Sequence, residues 1–435
     1  MLRKSTISII SLFVIALVYL LYGIDRSDTT ELLMVYGALF ALYFLSVKFL
    51  DHWTSKGVIA LAVFLRCISL FSTPNLSDDY YRFIWDGRMN NSGGDVYVAT
   101  PNDAIESAEF RTDDLFDRLN SKGYFTVYPP VNQMVFAVSA FVGGDQLSVS
   151  LFILHLFMLI GEIAALFLLS RYLSQINLGV RGLILYALNP LVIVELCGNL
   201  HFEGLMITFL LAALALLKEK KFFWSAVFFA LAILTKLLPL ILLPALIPLL
   251  KKKSLLYFGS ISLMCVVFSL PVLSTDLILS MGSSLDLYFR LFEFNASVYY
   301  MVREIGGLFL GYHPPIALLG PFLSIVCLLI ILSISWLTKW GFAKKAFWIF
   351  MSYLLLTTTV HPWYVITPLL FAILSRTPVG VVWSCLVILS YSHYSNGGFS
   401  ENYLLIFVEY AVVFAFAMFS QKLEWSLLQP QKLNP

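Results

Sequence analysis

The chain reads as an all-α polytopic membrane protein, a single membrane-embedded domain over residues 1–435. Three observations predict that class. Hydrophobic residues are 60% of the chain and charged residues 12%, against about 45–50% and about 25% in soluble domains. Apolar runs recur along its whole length, many close to the roughly 20 residues that a spanning helix needs. Lysines and arginines collect in the short connections between those runs, as they do in membrane proteins. A soluble protein of 435 residues would need a charged surface over two or three cores, and this chain lacks the charge for one.

The first run follows Arg3 and Lys4 and continues to Tyr22. It is longer than the apolar region of a signal peptide, about 7–15 residues, and ends in GIDRSD without a small-x-small cleavage site, so it reads as a retained first span over 5–24. Further spans read as 31–50, 57–72, 148–170, 181–196, 201–217, 222–236, 238–250, 254–273, 315–337, 345–360, 362–375, 377–393 and 403–420. The expected bundle therefore has roughly 12–14 transmembrane helices. The segment 131–143 is apolar but short, and reads as a re-entrant or interfacial piece.

Positive residues orient the bundle. With the N-terminus inside, 18 of the 28 lysines and arginines fall in cytoplasmic loops, among them Arg171, Arg181 and Lys251–Lys253. Making 131–143 a full span would throw those loops outside. With this threading the polar segments 73–130, 199–204, 274–314, 361–364 and 394–401 all emerge on the non-cytoplasmic side, as two long outer loops and three turns.

Several function classes drop out. Net charge is +2 and the basic residues are scattered, which leaves no nucleic-acid footprint. Cys67, Cys197, Cys265, Cys327 and Cys385 are far apart with no CxxC pair, so they read as small buried hydrophobes. No HExxH, P-loop, GxGxxG or GxSxG context is present.

The 73–130 loop is dense in Tyr, Phe and Trp, which argues against disorder. Asp78 and Asp79 follow the third span by a few residues and sit at interface height, with Arg82, Asp86 and Arg88 continuing at helical spacing. Asp78/Arg82 and Asp79/Arg82 are i,i+4 and i,i+3 pairs, and a short surface helix would carry Asp79, Arg82 and Asp86 on one face.

Paired acids, then Trp85-Asp86-Gly87-Arg88, a Gly93-Gly94 turn with Val96-Tyr97, and Tyr124 with Tyr128-Pro129-Pro130 opening the next apolar run form an ordered set. Leu188-Asn189-Pro190, Gly198-Asn199, Thr235-Lys236-Leu237-Leu238-Pro239 and His361-Pro362-Trp363-Tyr364 continue it. The set resembles the GT-C glycosyltransferases, multispanning enzymes that use lipid-phosphate sugars. Within them it is most similar to the mannosyltransferase branch with the GPI mannosyltransferase and the bacterial polyprenol-phosphate-mannose enzymes. The resemblance runs over about residues 70–370 and implies a GT-C-like bundle with a long, catalytic first outer loop. It also implies a polyprenyl- or dolichyl-phosphate sugar donor, most similar to a mannose donor, and a glycan or glycolipid acceptor. One departure is that Asp78 and Asp79 are adjacent rather than in the spaced Asp-x-Asp of many relatives. Which Asp acts, and whether both hold a divalent cation as cofactor, stays open.

Sugar transfer from a lipid phosphate breaks an anomeric C–O bond through an oxocarbenium-like state. Phosphate is a stable leaving group, so the site needs a base for the acceptor hydroxyl and positive charge for the departing phosphate. Asp79 is the expected base, with Asp78 assisting it or binding a metal; the alternative is that both cap the interfacial helix. Arg88, Lys236, Arg290, Arg303 and His361 are the phosphate candidates. Lys236 lies near the end of an apolar hairpin, where a lysine either pairs with an anion or snorkels to the interface. Arg82, Asp86, Tyr128, Trp363 and Tyr364 complete the expected substrate contacts, and His201 and Glu203 flank an outer turn that would line the cavity.

Glu162 and Arg66 lie inside apolar spans, and a carboxylate there is either functional or neutral and hydrogen-bonded to a neighbouring helix, the latter being favoured. His155 reads as a satisfied core histidine. The competing function is a lipid-linked-sugar transporter or flippase, which would show two matching halves with broken helices; none is visible. A third, a surface-polysaccharide polymerase or ligase, would place its polar loop later in the chain. Three N-x-S sequons, at Asn75, Asn90 and Asn295, fall on the outer side.

Overall fold

The computed structural model describes residues 2–106, 114–272 and 292–419, with the single positions 279 and 282. It is all-α: among the described residues the one extended pairing is an isolated parallel bridge between Phe294 and Thr359. Among the described residues five helices are long and apolar enough to cross a membrane alone: Lys4–Gly23, Thr29–Phe49, Leu147–Gln175, Leu238–Val272 and Ile316–Leu337. Gly179–Ala187 and Pro190–Gly198 form a sixth span if taken together, bent by 49°.

Other expected spans are shorter helices, such as Phe222–Thr235, Pro362–Ser375 and Tyr403–Phe419. The breaks have local causes. Pro190, Pro239, Pro362 and Pro378 each sit at or near a helix start, where a missing N–H costs nothing. The apolar run 238–272 turns left-handed at Lys251, with φ 52°, between the two spans expected on either side of its three lysines. The segment read as re-entrant or interfacial is a 14-residue helix, Pro130–Gly143, too short to span unaided.

Most buried side chains belong to one large apolar core, and a second cluster sits apart from it. That second cluster belongs to the first long loop. Helix Asp79–Asn91 buries Tyr80, Phe83, Ile84 and Trp85, with Phe83 stacked on Phe136 at 4.6 Å and 6° between planes. Gly87 is required there, because a Cβ would lie 2.2 Å from the Phe136 carbonyl oxygen. Arg82 and Asp86, both buried, form an ion pair at 2.6 Å. Arg82 also donates to the carbonyls of Ser121 and Tyr124 at 3.0 Å each, and Asp86 accepts from Gln133 at 3.0 Å. The Asp78/Arg82 and Asp79/Arg82 pairs expected from spacing are replaced by this one, because Arg82 turns towards the returning 121–124 chain rather than towards the helix start.

The intramembrane pair is settled in the same way. Glu162 accepts from Arg66 Nε and Nη2 at 3.1 and 2.9 Å and from Tyr186 at 3.1 Å. Arg66 spends its remaining donor on the carbonyls of Ala62 and Ala187. Glu162 thus meets its neighbour helix as a charged partner, with every side-chain oxygen occupied. His155 accounts for both ring nitrogens against the Cys197 and Ser72 carbonyls, at 2.7 and 2.9 Å. Asn295 is fully buried, and the side-chain amides of Asn75, Asn90 and Asn295 all donate within the fold, so these sequons have structural roles.

Candidate active site

The acids at 78 and 79 stand where the first outer loop enters helix Asp79–Asn91. Asp79 is the acidic residue of its first turn and favours the helix N-terminus electrostatically. Asp78 holds the N-cap position but makes no side-chain capping bond, so capping does not account for it. Both face a cavity of about 610 Å³. Segments remote in sequence close around it: Arg26 after the first helix, 76–82, 120–128, 292–294, 359–363 and Tyr391, Tyr394 and Phe399. Of these, 76–82, 120–128, 292–294, 361–363, Tyr394 and Phe399 fall in the polar segments that the threading expected on one side of the bundle, whereas Arg26, Thr359 and Tyr391 do not.

At the polar end, Asp78 pairs with Arg26 at 2.8 Å, and the Arg26 guanidinium lies 4.4 Å from the centroid of Tyr394. Asp79 Oδ2 accepts from the Tyr128 hydroxyl at 3.3 Å. Burial raises the Asp79 carboxyl above its ordinary range, opposed by a hydrogen bond from Asn120, the charge of Lys236 and the Tyr128 hydroxyl. A carboxylate lifted this way is a stronger base than one in water.

Behind the acids stands an aromatic stack. His201 lies parallel to Trp363 at 3.5 Å, and Trp363 to His361 at 4.5 Å. Burial, then the charge of Lys236, pushes His361 down to about 3. Burial, Lys236 and His361 together hold His201 well below the usual histidine range. Both rings are neutral at pH 7 and offer one N–H donor each. Lys236 forms an ion pair with Glu203 and sits 5.3 Å over the Tyr364 ring. The Glu203 Oε2 atom is buried without a hydrogen-bond partner among the described residues, while His201 Nε2 lies 3.5 Å from the Glu195 carboxylate. Buried polar atoms are ordinarily satisfied, so this polar end is built for something besides its own fold.

The expected residues thus divide. Asp78, Asp79, Arg82, Tyr128, His361 and Trp363 line the cavity. Lys236, Glu203, His201 and Tyr364 stand directly behind it, through the stack and the Lys236 charge. Asp86 serves the Arg82 clamp. Arg88 donates to the Gly144 carbonyl at 3.2 Å and does not line the cavity. Arg303 is held by Glu293 at 2.5 Å and by Glu304 at 3.1 Å. Arg290 lies outside the described residues.

Two further residues of this region are not among the candidates from the sequence, Arg26 and Glu195. Arg26 lines the cavity and pairs with Asp78. Glu195 is a single acid within an apolar run. It is fully buried in a π-helical turn, Ile193–Gly198, a form that often marks functional sites. It accepts from Tyr36 at 3.1 Å, Tyr391 at 2.5 Å and Asn199 at 3.3 Å. Asn199 in turn accepts from the Leu76 backbone N–H at 3.1 Å, two residues before the paired acids.

A divalent cation finds a poor donor set. No third His, Cys, Asp or Glu joins Asp78 and Asp79 among the described residues, and Arg26 already neutralises Asp78. No step is routed through a metal.

The profile of the alpha-(1->6)-mannopyranosyltransferase family, N-terminal domain, matches residues 26–252, more than half of the chain. The chain belongs to this family. It is a membrane glycosyltransferase of mannosyltransferase type. No curated protein matches the chain individually. The matched span begins at Arg26 and holds Asp78, Asp79, Glu195, His201, Glu203 and Lys236, while His361 and Trp363 come to the cavity of this mannosyltransferase from the C-terminal half.

Proposed function

We propose that this mannosyltransferase moves mannose from a polyprenyl-phosphate carrier to a hydroxyl of a glycan or glycolipid acceptor, on the non-cytoplasmic face, with Asp79 as general base. One observation carries the reading: Asp79, raised by burial, shares a cavity with the Arg26 cation and stands within reach of the Lys236 charge. The acceptor oxygen attacks the anomeric carbon, and its proton passes to the Asp79 carboxylate. The C–O bond to phosphate breaks with its electron pair on the phosphate, whose charge Arg26 and Lys236 stabilise. Asp78 holds Arg26 in place. A neutral His361 donates one N–H to a phosphate or sugar oxygen. A single displacement of this kind inverts the anomeric centre.

The setting supports a lipid donor. The acids follow the third span by a few residues, a depth at which the phosphate of a membrane-anchored carrier could reach them. The outer placement is supported by the distribution of lysine and arginine over the short loops. The family's description favours a 6-hydroxyl acceptor.

Membranes containing the chain, given labelled polyprenyl-phosphate mannose, are expected to transfer the label to a manno-oligosaccharide, and Asp79→Asn to abolish transfer at unchanged expression. Full activity in Asp79→Asn would overturn the base assignment. Modification of a cysteine placed at the exposed Asn91 by an impermeant reagent tests the sidedness, and protection in intact cells would overturn it.

A further inference from the structure

The polar end accounts for the base and the phosphate and leaves half of the cavity unexplained. Its other end is aromatic. Tyr124 and Phe292 face each other edge-on at 6.1 Å. From His361 a continuous run of rings leads outward, to Phe294 at 4.6 Å, and from Phe294 to Phe399 and Tyr394 at 6.0 Å each. Tyr124, Phe292 and Phe399 are 40%, 40% and 54% exposed. They come from three separate segments and meet on one rim.

The short strap 292–296 that supplies Phe292 and Phe294 is held with unusual care. Asn295 is left-handed, at φ 48°, and its side chain donates to the buried Glu409 at 3.2 Å. Its backbone N–H donates to Glu401 at 3.2 Å, and its carbonyl accepts from Tyr410 at 2.6 Å. Phe294 exchanges backbone bonds with Thr358 and Val360 at 3.1 and 2.8 Å. A buried carboxylate, Glu409, a half-buried one, Glu401, and a left-handed residue thus fix a strap that presents two aromatic rings to an open cavity. Fixing rings before a ligand arrives lowers the cost of binding one.

We propose that this aromatic rim is the acceptor subsite, a platform that stacks a neutral hexopyranose of the acceptor glycan and aims its hydroxyl at Asp79. The inference rests on the mannosyltransferase reading and adds where the second sugar sits. Rings with a polarised face suit the C–H face of a pyranose, which is apolar but carries hydroxyls at its edge. Two charged lining side chains border the rim: the acid Glu293, next to Phe292, opposes a phosphate there, and Arg26, 4.4 Å from the Tyr394 ring, is already paired with Asp78. A prenyl chain is disfavoured because the rim is built from loops, not from the faces of long apolar helices.

Full-length protein in lipid nanodiscs gives two measurements. In the first, mannotriose is bound to the transfer-silent Asp79→Asn variant and followed by saturation-transfer NMR. Contacts from pyranose C–H protons to aromatic protons are expected, and to be lost in Phe292→Ala/Phe399→Ala on that background. In the second, Phe292→Ala and Phe399→Ala should each raise the acceptor KM on the order of tenfold with donor KM unchanged, and Phe399→Trp should restore it. A rise in donor KM instead, or mannotriose binding indifferent to both substitutions, overturns the subsite. The binding measurement needs no turnover, so absence of transfer by the native chain would sink the function reading without touching this test.

Discussion

Two acid–base pairs lie among the apolar helices, and they are finished differently. Arg66–Glu162 is sealed: relative exposures are 0% and 1%, and each polar atom has a partner in Ala62, Ala187 or Tyr186. Lys236–Glu203 is left open: the lysine side chain is 22% exposed and Glu203 keeps one oxygen without a partner among the described residues. Both pairs cost desolvation. A sealed pair returns that cost as fixed helix positions. An open pair leaves charge available beside a cavity, which is what the proposed leaving phosphate would need. Burial alone therefore does not distinguish a structural ion pair from a working one; the state of its leftover atoms does.

The largest expected effect lies at the working end. Asp79→Asn should lower kcat by about 10²–10⁴-fold while leaving the lipid donor bound. The carboxyl's raised folded pKa fixes the sign of two further readings. A group raised in the folded state contributes stability below its unfolded pKa, lost as pH rises through the folded value. At pH 7 the ionised Asp79 therefore costs stability, and Asp79→Asn should raise the melting temperature as it kills transfer. In the native enzyme the rate should fall as pH drops through that raised value, at higher pH than an ordinary carboxylate near 3.9. A lower melting temperature in Asp79→Asn would show the acid to be structural after all.

Next comes the sealed pair. Arg66→Met strands a buried carboxylate and should destabilise by about 3–5 kcal/mol, seen as lost folded protein in detergent rather than as altered kinetics of what survives. Lys236→Gln should do the reverse: cost about 1–2 kcal/mol, since the amide still donates to Glu203, but lower kcat/KM on the order of tenfold through weaker phosphate stabilisation. If both variants fell chiefly in stability, the contrast between the pairs would collapse.

How much of this was legible in the sequence follows from what each residue signals locally. Apolar runs and the positive loops disclosed the bundle, and the acids and aromatics of the first loop pointed to residues that line the cavity, because composition and spacing are local properties. Arg82 shows the limit. Its spacing allowed Asp78, Asp79 or Asp86 as partner, and the choice fell to Asp86 through the Ser121 and Tyr124 carbonyls, about forty residues away. The helix breaks within the spans were illegible for a similar reason: prolines such as Pro190 and Pro239 start new helices inside apolar runs, and hydropathy does not register a bend. Arg26 and Glu195 were invisible because their meaning lies wholly in tertiary partners.

Glu195 gives the smallest and most discriminating effect. It links helix Thr29–Phe49 through Tyr36, the cavity wall through Tyr391, and the approach to the acids through Asn199 and Leu76. A positioning residue of this kind touches no substrate, so its loss should loosen geometry rather than remove chemistry. Glu195→Gln keeps the volume and one acceptor oxygen but presents an amide to groups that all donate. One of three donors must then go unpaired, worth about 1–2 kcal/mol. We expect a three- to tenfold lower kcat, with the acid limb assigned to Asp79 at unchanged pH, and a coupling energy with Tyr391→Phe of about 0.5 kcal/mol or more. A shifted acid limb would mean instead that Glu195, not Asp79, carries the titration, and the open pair would lose its place beside the base.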